Sequence, residues 1–201
     1  MTITKNPEAH VHQSVIFDGD AEIGFCTYLG FGGESDPPTR IGHNVRIGAF
    51  CIIEKGVQIE GNVEIDHYCR ISSGSRIGAN TRVLYRASIF NDVKVGANCI
   101  IAGELVDRTI VGDDVTFQGD TAHRHNDPNV DWDDAEEPSP KIEKGSVVGV
   151  GAVLIGDITV GPRAWVAAGE TVTCDVPEET VLKDGELHPL SYFRGSIKVR
   201  G

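Results

Sequence analysis

Two histidines, His123 and His125, lie two positions apart in the segment GDTAHRHND. An imidazole has an unperturbed pKa of about 6.5 and can therefore accept a proton near neutral pH. Asp120 and Asp127 flank the pair and are candidates to orient one of the rings. The alternative for each of these residues is a solvated position in a polar loop. The segment is thus a candidate site of general acid–base chemistry.

A six-residue repeat surrounds this segment and must position it. Its branched aliphatic residues start eleven consecutive repeats at Ile41, Ile47, Ile53, Ile59, Ile65, Ile71, Ile77, Val83, Ile89, Val95 and Ile101. A second run starts at Ile142, Val148, Leu154, Val160, Val166 and Val172. A period of six matches neither the 3.6 residues of a helix nor the alternation of a single strand.

The residues that follow each aliphatic position explain the period. The fourth residue after it is small or aliphatic, as at Val45, Cys51 and Val57, and we expect it to be buried with Cys69 and Cys99. The third residue after it is mostly of a type that tolerates positive φ: Asn44, Gly56, Asn62, Gly74, Asn80, Asp92, Asn98, Gly145, Gly151, Asp157, Gly169 and Asp175. Each repeat therefore predicts a short strand and a corner, and three repeats make one triangular coil. Stacked coils pair as parallel strands and predict an all-β solenoid.

The repeat is interrupted in ways that predict the domain organisation. Gly- and Pro-rich residues 31–40 form one loop, and residues 118–140 form a longer one without any repeat. A structureless segment of that length in a compact array is usually functional. Between Ile101 and Val111 the register also slips by two residues. We expect a β-helix domain over 1–177 and a C-terminal cap or tail over 178–201.

Composition narrows the class of partner. The 18 Lys and Arg against 30 Asp and Glu give a net charge of −12, which disfavours nucleic-acid and anionic membrane surfaces. Residues 1–140 hold 11 basic and 22 acidic residues, and residues 141–201 hold 7 and 8, so an anionic ligand is repelled least by the C-terminal third. The five cysteines show no CxxC or other metal-ligand spacing, and no metal is expected. No apolar run long enough for a bilayer is present, and we expect a cytoplasmic protein.

Residues 140–177, PKIEKGSVVGVGAVLIGDITVGPRAWVAAGETVTCDVP, resemble the signature segment of the hexapeptide-repeat acyltransferases. That resemblance implies a left-handed parallel β-helix and a homotrimer with sites in the clefts between prisms. It also implies transfer of an acetyl group from acetyl-CoA, as co-substrate, to a hydroxyl or amine of a small acceptor, by direct attack. The loop resembles that of maltose and galactoside O-acetyltransferases, whereas the long array is similar to that of nucleotide-sugar N-acyltransferases. O-acylation and N-acylation both stay open.

The same resemblance implies roles for individual residues. His123 occupies the place of the catalytic histidine of the maltose and galactoside branch, and His125 is the second candidate. Residues implied to bind coenzyme A are Gly151, Ala168, Thr173, Cys174 and Lys183. Cys174 stands where that branch often has lysine, so Lys183 or the tail cations Arg194, Lys198 and Arg200 are candidates to contact the phosphates instead.

Two alternatives to an acyltransferase are considered. A γ-class carbonic anhydrase holds zinc with three histidines across a subunit interface, which here would be His67, His123 and His125. The two-residue spacing of His123 and His125 is shorter than the five-residue separation usual in that class. The other alternative is a catalytically inactive β-helix subunit, although the histidine-bearing loop is intact.

Overall fold

A computed structural model of the chain describes residues 1–33, 36–125 and 137–193. Twenty-eight short strands coil into a solenoid with three faces, each of them one sheet. From β1 to β26, successive strands of the chain go to faces 1, 2 and 3 in turn, so a strand inside a sheet pairs with its counterparts one coil before and one coil after it. Within the described ranges no helix is long and apolar enough to cross a membrane.

Face 1 consists of β1 (Ile3–Lys5), β4 (Ala21–Ile23), β7 (Val45–Ile47), β10 (Glu64–Ile65), β13 (Arg82–Val83), β16 (Ile100–Ile101), β19 (Thr116–Phe117), β22 (Val147–Val148), β25 (Trp165–Val166), β27 (Thr180–Lys183) and β28 (Glu186–Pro189). Face 2 consists of β2 (His10–Val11), β5 (Tyr28–Phe31), β8 (Ile52–Glu54), β11 (Arg70–Ile71), β14 (Ser88–Ile89), β17 (Glu104–Leu105), β20 (Asp120–Ala122), β23 (Val153–Ile155) and β26 (Thr171–Val172). Face 3 consists of β3 (Ile16–Phe17), β6 (Arg40–Ile41), β9 (Gln58–Ile59), β12 (Arg76–Ile77), β15 (Lys94–Val95), β18 (Ile110–Val111), β21 (Lys141–Ile142) and β24 (Thr159–Val160).

The core is the stack of repeat aliphatics inside the prism. The eleven predicted positions from Ile41 to Ile101 are all buried, and so are Cys51, Cys69 and Cys99, as expected. Burial raises the pKa of the Cys99 thiol, which keeps that sulfur in its unreactive protonated form. The all-β parallel solenoid predicted from the repeat is confirmed.

The structure confirms positive φ at most of the predicted corner residues and contradicts it at two of them. Positive φ occurs at the predicted asparagines and glycines, for instance 60° at Asn62 and Asn80, whose side-chain amides hydrogen-bond to each other at 3.1 Å. The prediction was wrong for Asp157 and Asp175, which are not among the positive-φ residues. At the first of these corners Gly156 adopts φ 81° one position earlier. At the second corner Asp175 accepts a hydrogen bond from the Thr159 N–H at 2.7 Å instead.

The predicted loop over 118–140 was wrong at its start, because Asp120–Ala122 form β20 of face 2 and the chain leaves the prism only after Ala122. The predicted loop over 31–40 lies between β5, which ends at Phe31, and β6, which begins at Arg40.

Across the register slip, Ser88 pairs with Glu104 and Lys94 pairs with Ile110, so that coil has 16 residues in place of 18. At the C-terminus β27 extends face 1 in parallel, β28 folds back antiparallel to it, and a single helical turn, α1 (Leu190–Phe193), follows. The division at residue 177 stays a prediction, and residues 194–201 of the expected tail lie outside the described ranges.

Candidate active site

The histidine pair lies where the chain leaves the prism. Strand β20 pairs with β17 and β23 on face 2, and the chain next rejoins the prism at β21 on face 3. The segment between them, which we call the long excursion, therefore emerges from the corner between faces 2 and 3. Its residues 126–136, including Asp127, lie outside the described ranges. His123 and His125 are thus held within three residues of a strand of the core.

The strand that carries the pair is fixed by side-chain hydrogen bonds to the preceding coil. The buried Thr121 hydroxyl accepts the Val106 N–H at 2.8 Å. Asp120 Oδ1 accepts the Glu104 N–H at 2.9 Å. That carboxylate oxygen is therefore engaged with the backbone of the preceding coil, and the hydrogen bonds among the described residues include none between Asp120 and either imidazole.

His123 is half-buried, and its two ring nitrogens differ. Nδ1 is sealed from solvent and has no hydrogen-bond partner among the described residues. Nε2 of the same ring is not a buried nitrogen without a partner. An unpaired buried polar atom is rare in a folded protein and requires an explanation. At this candidate active site, Nδ1 of His123 can therefore form a hydrogen bond for which the described residues supply no partner.

His125 has a partner that the sequence did not reveal as such. Its Nδ1 lies 3.2 Å from Oε1 of Glu137, and its backbone N–H donates to Oε2 of the same carboxylate, also at 3.2 Å. His125 adopts φ 43°, an uncommon conformation for a non-glycine residue. Hydrogen bonding from the His125 N–H and the nearby imidazoles lower the pKa of Glu137, against an opposing effect of burial. The two histidine rings meet edge to face with centroids 5.7 Å apart.

The returning stem of the long excursion is tied to the preceding coil. Arg108 donates from Nη2 to the Glu137 carbonyl at 2.9 Å, and the Ser139 hydroxyl donates to the Asp107 carbonyl at 2.5 Å. Ser139 is buried, so its contact is shielded from water. Glu137 is thereby placed beside His125 by contacts that do not involve the histidine.

The outgoing stem is tied to the following coils. Arg124 donates from Nη2 to the Thr173 carbonyl at 2.8 Å. Its side chain crosses over Gly156, where an added Cβ would lie 2.9 Å from the guanidinium Nε. Glycine is therefore favoured at 156 by its φ of 81° and by the close approach of the Arg124 side chain. The contact joins the histidine segment to Thr173, one of the residues expected to bind coenzyme A.

The residues expected to bind coenzyme A fall into two groups. Thr173 and Cys174 follow β26 at the corner between faces 2 and 3, beside the histidine segment, and both are exposed. Gly151 and Ala168 lie at the corner between faces 1 and 2, and Lys183 ends β27 on face 1, where it forms an ion pair of 2.9 Å with Asp184. One chain therefore does not bring these five residues together. The tail cations at 194, 198 and 200 lie outside the described ranges.

His67 lies on another part of the prism. It follows β10 at the corner between faces 1 and 2, and its Nδ1 accepts the Ala49 N–H at 2.8 Å. It borders a groove of about 540 Å³ on face 1 whose floor includes Arg46 ion-paired with Glu22 and Glu64. Within the described part of the chain no three His, Cys, Asp or Glu side chains form a metal-ligand group. The three histidines of the zinc alternative are therefore not assembled by one chain.

Comparisons with known proteins support the fold. No family model matches the chain. The bifunctional protein GlmU of Geobacillus sp. (strain WCH70) is 46% identical over 52 residues, which are 26% of this chain and 11% of that protein. The chain thus matches about a tenth of the length of this curated relative.

Two solved structures align over most of the chain. The UDP-N-acetylglucosamine acyltransferase of Francisella novicida has a TM-score of 0.65 and 19% identity, over 92% of this chain and 69% of that one. LpxA from Acinetobacter baumannii has a TM-score of 0.54 and 14% identity, over 92% and 72%. The chain therefore has the hexapeptide-repeat, left-handed β-helix fold that the sequence resemblance implied.

Proposed function

We propose that this chain is an acetyl-CoA-dependent acyltransferase. It moves an acetyl group to a hydroxyl or amine of a small acceptor, a sugar or a nucleotide amino sugar. The observation that carries the proposal is the histidine pair at the start of the long excursion, next to the strand end that bears Thr173 and Cys174. The fold adds support, because the Francisella novicida structure that aligns over 92% of the chain is a UDP-N-acetylglucosamine acyltransferase.

The reaction requires a proton acceptor and a nucleophile held in line. One imidazole of the pair removes the proton from the acceptor O–H or N–H, and the acceptor atom attacks the thioester carbonyl carbon. The tetrahedral intermediate collapses by breaking the carbon–sulfur bond. The imidazolium then returns its proton to the departing thiolate, which leaves as coenzyme A. No residue of the chain forms a covalent intermediate in this scheme.

Each part of the scheme has a group near the site. Backbone N–H groups at the corner are suited to stabilise the negative oxygen of the intermediate. Acetyl-CoA would lie along Thr173 and Cys174. The net charge of −12 supports small-molecule partners over nucleic acid.

A homotrimer would reconcile the two groups of coenzyme A residues. In clefts between prisms, the corner with Gly151 and Ala168 of one copy would face the corner with Thr173 of the next. Lys183 lies on the same side of the prism as Gly151. Sedimentation velocity at micromolar concentration tests this arrangement, and a species of only 21.6 kDa would contradict it.

The activity is tested by following thiol release from acetyl-CoA with three sets of acceptors: amino sugars, nucleotide amino sugars and simple glycosides. We expect acceptor-dependent thiol release with at least one set, and equimolar acetylated product by mass spectrometry. Loss of the activity with chelator would favour the zinc alternative. Absence of any acceptor-dependent release across the panel would contradict the proposed function and favour the inactive subunit.

A further inference from the structure

We infer that Glu137 is a positioning residue that fixes the tautomer of His125, and that His125 is the imidazole that takes the acceptor's proton. The inference deepens the proposed function and rests on it. The sequence resemblance places His123 at the catalytic position and leaves His125 as the second candidate. The structure distinguishes the two by the hydrogen bonding of their Nδ1 atoms.

Glu137 holds both the ring and the backbone of His125, and we call this pair of contacts the clamp. Glu137 uses one carboxylate oxygen for the His125 ring and the other for the His125 backbone N–H, both at 3.2 Å. The backbone of Glu137 is itself held by Arg108. Two contacts on one residue fix both the position and the rotation of the imidazole, as the orienting group of a catalytic histidine must do.

The contact with Glu137 determines which ring nitrogen of His125 is protonated. An ionised carboxylate can only accept hydrogen bonds, so the nitrogen facing it, Nδ1, must carry a proton. In the neutral ring the basic nitrogen is then Nε2. Glu137 has a lowered pKa and stays ionised at neutral pH. Of the other described groups, the His123 ring meets the His125 ring, and Arg108 donates to the backbone carbonyl of Glu137.

His123 differs from His125 in the hydrogen bonding of its Nδ1. A general base must pass through the doubly protonated imidazolium, in which both ring nitrogens need an acceptor or solvent. Nδ1 of His123 is sealed without an acceptor among the described residues, so the imidazolium of His123 would bury an unpaired N–H. The same state of His125 has Glu137 as its acceptor. The local hydrogen bonding therefore favours His125 as the base.

The two roles are separated by steady-state kinetics on four variants. We expect H125A to lower kcat by about 10²–10⁴-fold, the usual contribution of a general base. E137Q should lower kcat by about 10–100-fold with little change in KM, because a glutamine amide can donate or accept and no longer dictates the tautomer. H123A should have a smaller effect than H125A.

The matched control is E54Q at another coil of the same corner. The Glu54 carboxylate also holds two groups, both of them in the next coil, since it accepts from Arg70 at 2.7 Å and from the Ser73 N–H at 3.1 Å, and it is as well shielded as Glu137. We expect E54Q to leave kcat unchanged. Equal losses in E54Q and E137Q would reduce Glu137 to a structural role and overturn the inference, as would a larger loss in H123A than in H125A.

A second measurement does not depend on turnover. Histidine ¹⁵N chemical shifts report which ring nitrogen is protonated, and we expect the Nδ1–H tautomer at His125 in the unmodified protein and a mixture in E137Q. An Nε2–H tautomer at His125 in the unmodified protein would overturn the clamp. If the unmodified protein releases no thiol with any acceptor, the proposed function and the base assignment fail together, while the tautomer shift still decides the clamp.

Discussion

Two excursions leave the same corner of the prism, and they differ in how their polar atoms are used. The short excursion at residues 31–40 runs from β5 to β6, and the long one runs from β20 to β21. Both therefore join face 2 to face 3, several coils apart. Because their topology is the same, their place in the coil cannot explain a difference in function.

The short excursion is anchored to the following coils. Lys55 donates from Nζ to the Gly33 carbonyl at 3.1 Å. Asp36 Oδ2 accepts from the Ser73 hydroxyl at 3.0 Å, and the Thr39 hydroxyl donates to the Glu54 carbonyl at 2.9 Å. These contacts hold the loop against the prism, as expected of a structural insertion.

Histidines beside the two excursions show the difference most directly. His12, which meets Phe31 of the short excursion edge to face, has an Nδ1 that accepts the Ser14 N–H at 3.2 Å and lies 2.7 Å from the Ser14 hydroxyl. At the long excursion Nδ1 of His123 has no described partner, and that of His125 faces a carboxylate. A local turn hydrogen bond fixes His12, whereas the hydrogen bonding of the later pair is consistent with the proton transfer that we propose for it.

The largest stability effect should come from the strand beneath the short excursion. Leu29 in β5 is fully buried, and Leu29→Ala would remove its packing and leave a cavity. We expect a loss of about 2–5 kcal/mol in the free energy of unfolding, measured by denaturant titration. Per folded molecule, the activity should be unchanged. A matching fall in kcat of the folded fraction would show that the short excursion also serves the site.

A smaller effect is expected beneath the long excursion, where β20 places Thr121 inside the prism. Thr121→Val keeps the shape but removes the hydroxyl that accepts the Val106 N–H. We expect a loss of about 1–3 kcal/mol from the unpaired buried N–H. Thr121→Ser retains the hydroxyl and should lose less. If Val and Ser substitutions cost the same, packing and not this hydrogen bond holds the strand.

The smallest effect should come from the charge of Glu137. Its pKa is lowered in the folded state, so its contribution to stability is present above the ordinary value of about 4.5 and disappears as pH falls through the lowered value. The difference in unfolding free energy between the unmodified protein and E137Q should therefore be present above about pH 4.5 and shrink as pH falls below that value. A difference that persists or grows below the lowered pKa would have the wrong sign for an ionised clamp.

The sequence predicted the prism because each repeat contains the residues that determine its own strand and corner. Ile71 and the other repeat aliphatics are buried because each starts a six-residue repeat, and the 16-residue coil is recognisable because two residues are missing from the repeat after Ile101. The contacts of the candidate site residues are not encoded by such a repeat. The contact of His125 with Glu137 spans 12 positions of unpatterned loop, and that of Arg124 with Thr173 spans 49. No periodicity encodes such pairs, so the sequence located the histidines but not their partners.

We propose that proton transfer takes place at the long excursion and not at the short one. Thiol release from acetyl-CoA, measured with the best acceptor of the panel, tests this proposal in the H123A/H125A double variant and in H12A. We expect the double variant to lose about 10²–10⁴-fold in kcat with its melting temperature retained, and H12A to keep the activity. A double variant that still turns over at the normal rate, or an equal loss in H12A, would contradict it.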